Sequence, residues 1–138
     1  AKNFNSKKTN VITGEKTECL CGKDFIKERI IDKTFRIGAN TFFQVNPKSA
    51  ENIFAYVKNY IIKNYDNPTL LDAYAGITAF GIVLSDNCKK VVSVEENKES
   101  VELAQKTIEA NEVKNVELHN MDAAKFFEKE LKTKKTLL

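Results

Sequence analysis

The chain has 138 residues, 42% of them hydrophobic and 30% charged, with 22 Lys+Arg against 19 Asp+Glu for a formal net charge of +3. That balance excludes disorder throughout, and five glycines and two prolines with no repeating period exclude collagen-like, low-complexity and solenoid chains. The longest apolar run falls well short of the roughly 18 residues a spanning helix needs, and the polar, lysine-rich opening residues lack the apolar stretch of a secretory signal.

The first third reads as strands and turns. Residues 10–13, 17–21 and 34–37 are short β-favouring runs that end at Gly14, Gly22 and Gly38, the pattern of antiparallel hairpins. In the second run Cys19 and Cys21 fall on one strand face and read as small buried hydrophobes. Three cysteines cannot build a paired disulfide framework, and with His119 as the one histidine they supply too few ligands for a structural zinc. A reducing, cytoplasmic setting without metal is the expectation. Residues 1–48 carry ten basic and five acidic side chains, net +5, against −2 for the remainder. A polyanion would be held there if anywhere; a solvated lysine-rich surface is the other reading.

Residues 41–45, Thr-Phe-Phe-Gln-Val, continue the β character until Asn46-Pro47 stops it. Phe42 and Phe43 then take opposite strand faces; core is the reading for both, with stacking of one on a base as the alternative. Pro47 is pre-organised for a first helical position, and Ile53, Phe54, Val57, Tyr60, Ile61 and Ile62 predict an amphipathic helix over 48–64. After Asp66-Asn67-Pro68 the grammar changes. Residues 69–74, 90–94 and 115–118 read as apolar strands alternating with helices over 79–84, 100–111 and 123–131, the order of parallel βαβ units. Residues 132–138 read as the start of a fourth strand. Three parallel strands are about half of a doubly wound sheet and leave an edge that a complete domain covers, so a fragment is expected.

Acids at the strand ends locate the chemistry. Asp72 closes the first parallel strand, Gly76 opens the turn into a helix, and Glu95 closes the next strand about 20 residues on, where nucleotide-binding sheets place the carboxylate that accepts ribose hydroxyls. Asp122, after the third strand, is a third acid. Each has a plainer reading: Glu95 as a carboxylate favoured by a helix dipole, Asp122 as an ordinary N-cap.

The segment Thr41-Phe42-Phe43-Gln44-Val45-Asn46-Pro47, a helix, and then Leu71-Asp72-Ala73-Tyr74-Ala75-Gly76-Ile77 resemble the RNA (uracil-5-)-methyltransferase family, whose members methylate carbon 5 of uracil in tRNA or ribosomal RNA. Val94-Glu95 followed by Ala104 and Asn111 resembles its second motif, and the likeness runs from residue 10 onward. It implies an α/β chain: a small antiparallel β-hairpin region over 1–46, then over 47–138 the N-terminal, truncated part of a Rossmann-like class I methyltransferase domain, a partial parallel sheet with flanking helices. It also implies S-adenosylmethionine as cofactor, RNA as partner, and no membrane. Cofactor contacts carry over to Gln44, Tyr74, Gly76 and Glu95, with Asp122 on the adenine side. Gln44, both donor and acceptor, suits the cofactor or a flipped base edge, and its other reading is a polar group satisfying a strand-to-helix junction.

Two departures from the family stand out. Its G-x-G loop is Gly76-Ile77-Thr78 here, so a β-branched residue occupies the second glycine position and narrows the backbone's approach to a ligand. Its nucleophilic cysteine and proton-abstracting carboxylate belong to motifs downstream of residue 138, so no catalytic residue is expected within the chain; Cys19, Cys21 and Cys88 do not match the nucleophile's motif, and the four-cysteine iron–sulfur cluster of some relatives has no counterpart. Two other classes stay open. One is a different Rossmann-like enzyme, a small-molecule methyltransferase or a dinucleotide oxidoreductase, the latter normally keeping G-x-G-x-x-G. The other is a non-catalytic RNA-binding module, favoured by the basic first third and by Thr78.

Overall fold

A computed structural model describes residues 1–4, 14, 16–44 and 46–135. Strand β1 (Lys2–Phe4) pairs antiparallel with β2 (Lys16–Glu18), and β3 (Phe25–Ile30) pairs antiparallel with β4 (Lys33–Gly38) across the turn at Ile31-Asp32. The expected strand over 10–13 lies outside the described residues. Strand β3 was not legible in the sequence, because Lys27, Glu28 and Arg29 interrupt its apolar run. The expected strand over 17–21 stops at Glu18, and Cys19 and Cys21 are exposed rather than buried. Both follow a three-residue strand pair, too short to carry the alternation on to them.

The β3–β4 hairpin is tied to the rest of the chain by side chains that satisfy the outer edge of β4. The Thr34 amide donates to Asn111 Oδ1 at 2.9 Å and the Arg36 amide to Thr107 Oγ1 at 3.2 Å, so two residues one helical turn apart replace a neighbouring strand. Residues 42–44 are irregular, correcting the β expectation there. The Thr41 hydroxyl closes a turn on Gly38, accepting from its amide and donating to its carbonyl, and among the described residues no strand pairs with this segment. Phe43 packs on Phe35 with ring centroids 6.0 Å apart, whereas Phe42 is 73% exposed, so only one of the pair joins the core.

Helix α1 (Pro47–Asn64) begins where Pro47 predicts, with the Asn46 side chain accepting from the Ser49 amide at 3.1 Å. Then come β5 (Thr69–Ala73), α2 (Ala79–Leu84) with a single 3₁₀ turn, β6 (Lys90–Glu95), α3 (Lys98–Ala110), β7 (Val116–Asn120) and α4 (Ala123–Lys135). The three strands form one parallel sheet in the order β5-β6-β7, as the βαβ grammar requires. Residues 132–135 continue α4 instead of starting a fourth strand, and 136–138 lie outside the described residues. Lys and Leu are good helix formers, and nothing β-branched but Thr133 opposes them before the described residues end.

Alternation along β6 shows both faces covered. Val94 packs with Ala123 and Phe126 of α4, while Val91 and Ser93 face Gly81 of α2 so closely that a Cβ there would come within 2.8 Å of Ser93 Oγ. The main core joins Ile30 and Phe35 of the hairpin to Ala50 and Phe54 of α1, Ile82 and Val83 of α2, and Ile108 of α3. The hairpin therefore completes the same core as the helices rather than having one of its own.

Candidate functional site

The carboxyl ends of parallel strands are where ligands bind in open α/β sheets. At that end of β5 the chain leaves the strand through left-handed backbone at Tyr74 (φ +58°), Gly76 (φ +56°) and Thr78 (φ +59°). Glycine adopts this conformation freely; tyrosine and threonine do not, so the loop holds strain at two positions. The Ala75 amide donates to Val94 O and the Thr78 amide to Ala75 O, fixing the loop against β6. Thr78 is fully buried, and its hydroxyl has no hydrogen-bond partner.

Glu95 reaches across from the end of β6. One carboxylate oxygen accepts from the Gly76 amide at 2.8 Å and the other from the Asn97 amide at 2.8 Å. The carboxylate is thereby aimed, and each oxygen keeps a lone pair for a further donor. Asp72, on the strand below, accepts from the Gly81 amide at 3.0 Å and so holds the first turn of α2. Burial, chiefly, pushes its carboxyl up to about 6; the Glu95 charge adds to this, and the Gly81 hydrogen bond opposes it.

A cavity of about 360 Å³ opens here, a volume within the range of small-ligand pockets. Gln44, Tyr74, Gly76 and Glu95 all line it, with Phe42, Phe43, Phe54, Ile77 and Phe80 forming apolar walls. Phe54 and Phe80 meet at 4.5 Å between ring centroids. Tyr74 is 73% exposed. Asp122 does not line this cavity; its carboxylate accepts from the Lys125 amide at 2.9 Å and caps α4. The sequence reading missed Asn97, Phe42 as a wall, and Phe80. For Asn97 a signal existed: an Asn two residues after a strand-end acid and before a helix is a cap whose amide faces back toward that acid.

Among the described residues no cysteine lines the cavity. Cys88 is buried at the opposite end of β6, where burial raises its thiol pKa, and Cys19 and Cys21 follow β2. No three His, Cys, Asp or Glu side chains gather as a metal site among the described residues, and none of the described helices is long and apolar enough to cross a membrane.

The parallel sheet with its flanking helices has the fold of S-adenosylmethionine-dependent methyltransferases, shared with one of Agrobacterium tumefaciens at TM-score 0.67 and 15% identity over 80% of this chain and 36% of that one. More narrowly, the chain belongs to the tRNA (uracil-5-)-methyltransferase family, whose model matches residues 3–137. It is 39% identical over 116 residues to an uncharacterised RNA methyltransferase of Leptospira interrogans, covering 83% of this chain and 28% of that protein. It also resembles the Pyrococcus abyssi tRNA (uracil-54, C5)-methyltransferase solved with S-adenosyl-L-homocysteine, at TM-score 0.69 and 31% identity over 85% of this chain and 29% of that one. The chain thus spans less than a third of either relative's length.

Proposed function

We propose that this chain is the cofactor-binding part of an S-adenosylmethionine-dependent RNA methyltransferase that modifies carbon 5 of uridine in tRNA or ribosomal RNA. The observation that carries the reading is the Glu95 carboxylate, held by two amides at the end of β6 and facing the same cavity as Gln44, Tyr74 and Gly76.

The residues fit the cofactor's chemistry. Glu95 accepts the ribose hydroxyls with its remaining lone pairs, and Gly76, which has nothing within 4 Å of the place a Cβ would take, lets the backbone approach the methionine part. Phe54 and Phe80 exclude water, Tyr74 covers the opening, and Gln44 presents an amide to the cofactor or to the edge of a flipped base. When bound, S-adenosylmethionine supplies an electrophilic methyl group. On this reading residues 1–46 and 47–138 are the hairpin region and the first part of the methyltransferase domain, and no residue in them performs the nucleophilic step. The family match and the Pyrococcus abyssi enzyme support the uridine assignment.

Titration calorimetry of the chain with S-adenosylhomocysteine tests the reading. Binding that weakens in Glu95→Ala and in Glu95→Gln supports it. RNA binding in a chain that takes up no S-adenosylhomocysteine would favour the non-catalytic RNA-binding module, toward which the strained Thr78 loop points.

A further inference from the structure

The outward face of the β3–β4 hairpin is a cationic surface whose charges no ion pair among the described residues neutralises. Side chains alternate along β3, and residues directly opposite in the register share a face, so Phe25, Lys27 and Arg29 stand with Thr34 and Arg36 on one side. Ile30 and Phe35 take the other side and enter the core. Lys33, on that inner side, is paired with Asp86 at 2.9 Å. The outer cations are different. Among the described residues Lys23, Lys27, Arg29 and Arg36 form no ion pair. Arg29 spends only its Nε, on the Ile31 carbonyl at 3.2 Å.

The arrangement also carries a cost. Lys27 and Arg36 are directly opposite across the ladder, and like charges at that position oppose strand pairing. Arg36 and Lys23 converge on one ring, 4.7 Å and 5.9 Å from the Phe25 centroid, which holds two cations beside each other. Of the hairpin's acids, Glu28 is on the inner side and Asp32 is in the turn 3.9 Å from Lys33, which leaves Asp24, beside Lys23 and Phe25, as the one that shares this surface. Four cations that form no ion pair among the described residues, clustered beside a half-buried aromatic ring, give this face the charge of a surface for a phosphodiester backbone.

We propose that this face binds the phosphates of the RNA substrate, with Lys23, Lys27, Arg29 and Arg36 as the contacts. The inference rests on the RNA methyltransferase reading for the identity of the polyanion; the surface itself rests on the hairpin's geometry. Arg36 contributes a planar fork fixed against Phe25, and Lys23, Lys27 and Arg29 are exposed.

The test is RNA affinity as a function of salt. Unfractionated, unmodified tRNA is titrated into the chain and into the triple variant Lys23→Gln, Lys27→Gln, Arg29→Gln, and a control removes three exposed lysines elsewhere, Lys89→Gln, Lys114→Gln, Lys125→Gln. The hairpin variant is expected to bind about tenfold or more weakly at low salt and to lose about 2–3 from the slope of log affinity against log salt, while the control loses markedly less. Circular dichroism and S-adenosylhomocysteine binding should be unchanged in both variants, which separates failure of this surface from failure of the cofactor site. Equal losses in the two variants, an unchanged slope in the hairpin variant, or no tRNA binding by the parent chain would each overturn the proposal.

Discussion

The amide of Gly76 donates to the carboxylate of Glu95 at 2.8 Å, a bond between residues 19 positions apart that ties the loop after the first parallel strand to the end of the second. Losing the carboxylate therefore costs both a ligand acceptor and the anchor of the loop. Glu95→Ala is expected to weaken S-adenosylhomocysteine binding by about 1.5–3 kcal/mol, the range for a hydrogen bond to a charged group. Glu95→Gln, which keeps one acceptor oxygen, should lose less. Calorimetry on the three proteins gives the ranking, and an alanine variant with parental affinity would return Glu95 to a role in the loop alone.

Asp72 makes stability depend on pH. Its carboxyl is raised to about 6 from an ordinary 3.8, mainly by burial, so the folded chain holds a proton that the unfolded chain releases. The folded state is favoured by this group below pH 4, and that advantage is lost as pH rises toward 6. Asp72→Asn keeps an acceptor for the Gly81 amide and removes the titration. The variant should gain about 2–3 kcal/mol on the parent between pH 4 and pH 7, read from urea midpoints. A constant difference across that interval would refute the assignment.

Gly81 is the point of closest approach between α2 and β6. A Cβ there would stand 2.7 Å from Thr78 Cγ2, 2.8 Å from Ser93 Oγ and 3.1 Å from Val91 Cγ1, with both strand residues fully buried. Overpacking of this kind costs about 1–3 kcal/mol, against roughly 1 kcal/mol gained from replacing a helical glycine. Gly81→Ala should lower stability by up to about 2 kcal/mol in chemical denaturation; a more stable variant would mean that α2 shifts away without penalty.

The parallel half of the fold was legible because strands buried on both faces are plain apolar runs, such as Val91-Val92 and Leu70-Leu71, separated by helices of clear period. The convergence of Gln44, Tyr74, Gly76 and Glu95 followed from the strand-end rule and the family's motifs. What stayed hidden depended on backbone or on distant partners. Strand β3 turns Lys27 and Arg29 to solvent, and it is its partner β4 that α3 holds, through Thr107 and Asn111, more than 70 positions away. The left-handed backbone at Tyr74 and Thr78 has no sequence signature, since neither residue favours it.

Thr78 tests how much of that loop is strained. Its buried hydroxyl has no partner, and an unsatisfied polar group of this kind costs about 1–3 kcal/mol. Thr78→Val keeps the shape and removes the hydroxyl, and is expected to raise stability by about 1 kcal/mol in thermal or urea unfolding. Thr78→Gly relieves the left-handed backbone and should strengthen S-adenosylhomocysteine binding, at an ordering cost of about 0.5–1 kcal/mol. Weaker binding in the glycine variant would identify the threonine as a native contact to the cofactor.

The 138-residue chain on its own is expected not to methylate RNA, even with saturating S-adenosylmethionine. Carbon 5 of uracil is a weak nucleophile, and the family activates it by transient addition of a thiolate to carbon 6, which requires a cysteine within bonding reach of a base extruded into the pocket. Among the described residues the cavity that holds Gln44, Tyr74, Gly76 and Glu95 contains no cysteine. Cys88 is at the far end of β6 and its thiol pKa is raised by burial, which lowers the thiolate population. Cys19 and Cys21 are exposed beyond β2, and the Cys19 thiol is directed at the Cys21 carbonyl at 3.4 Å. Incubation with unmodified tRNA and ribosomal RNA and a radiolabelled methyl donor measures the outcome directly. Methyl transfer that vanished in Cys19→Ala, Cys21→Ala or Cys88→Ala would move the reacting centre to that cysteine and away from the carboxyl ends of the strands.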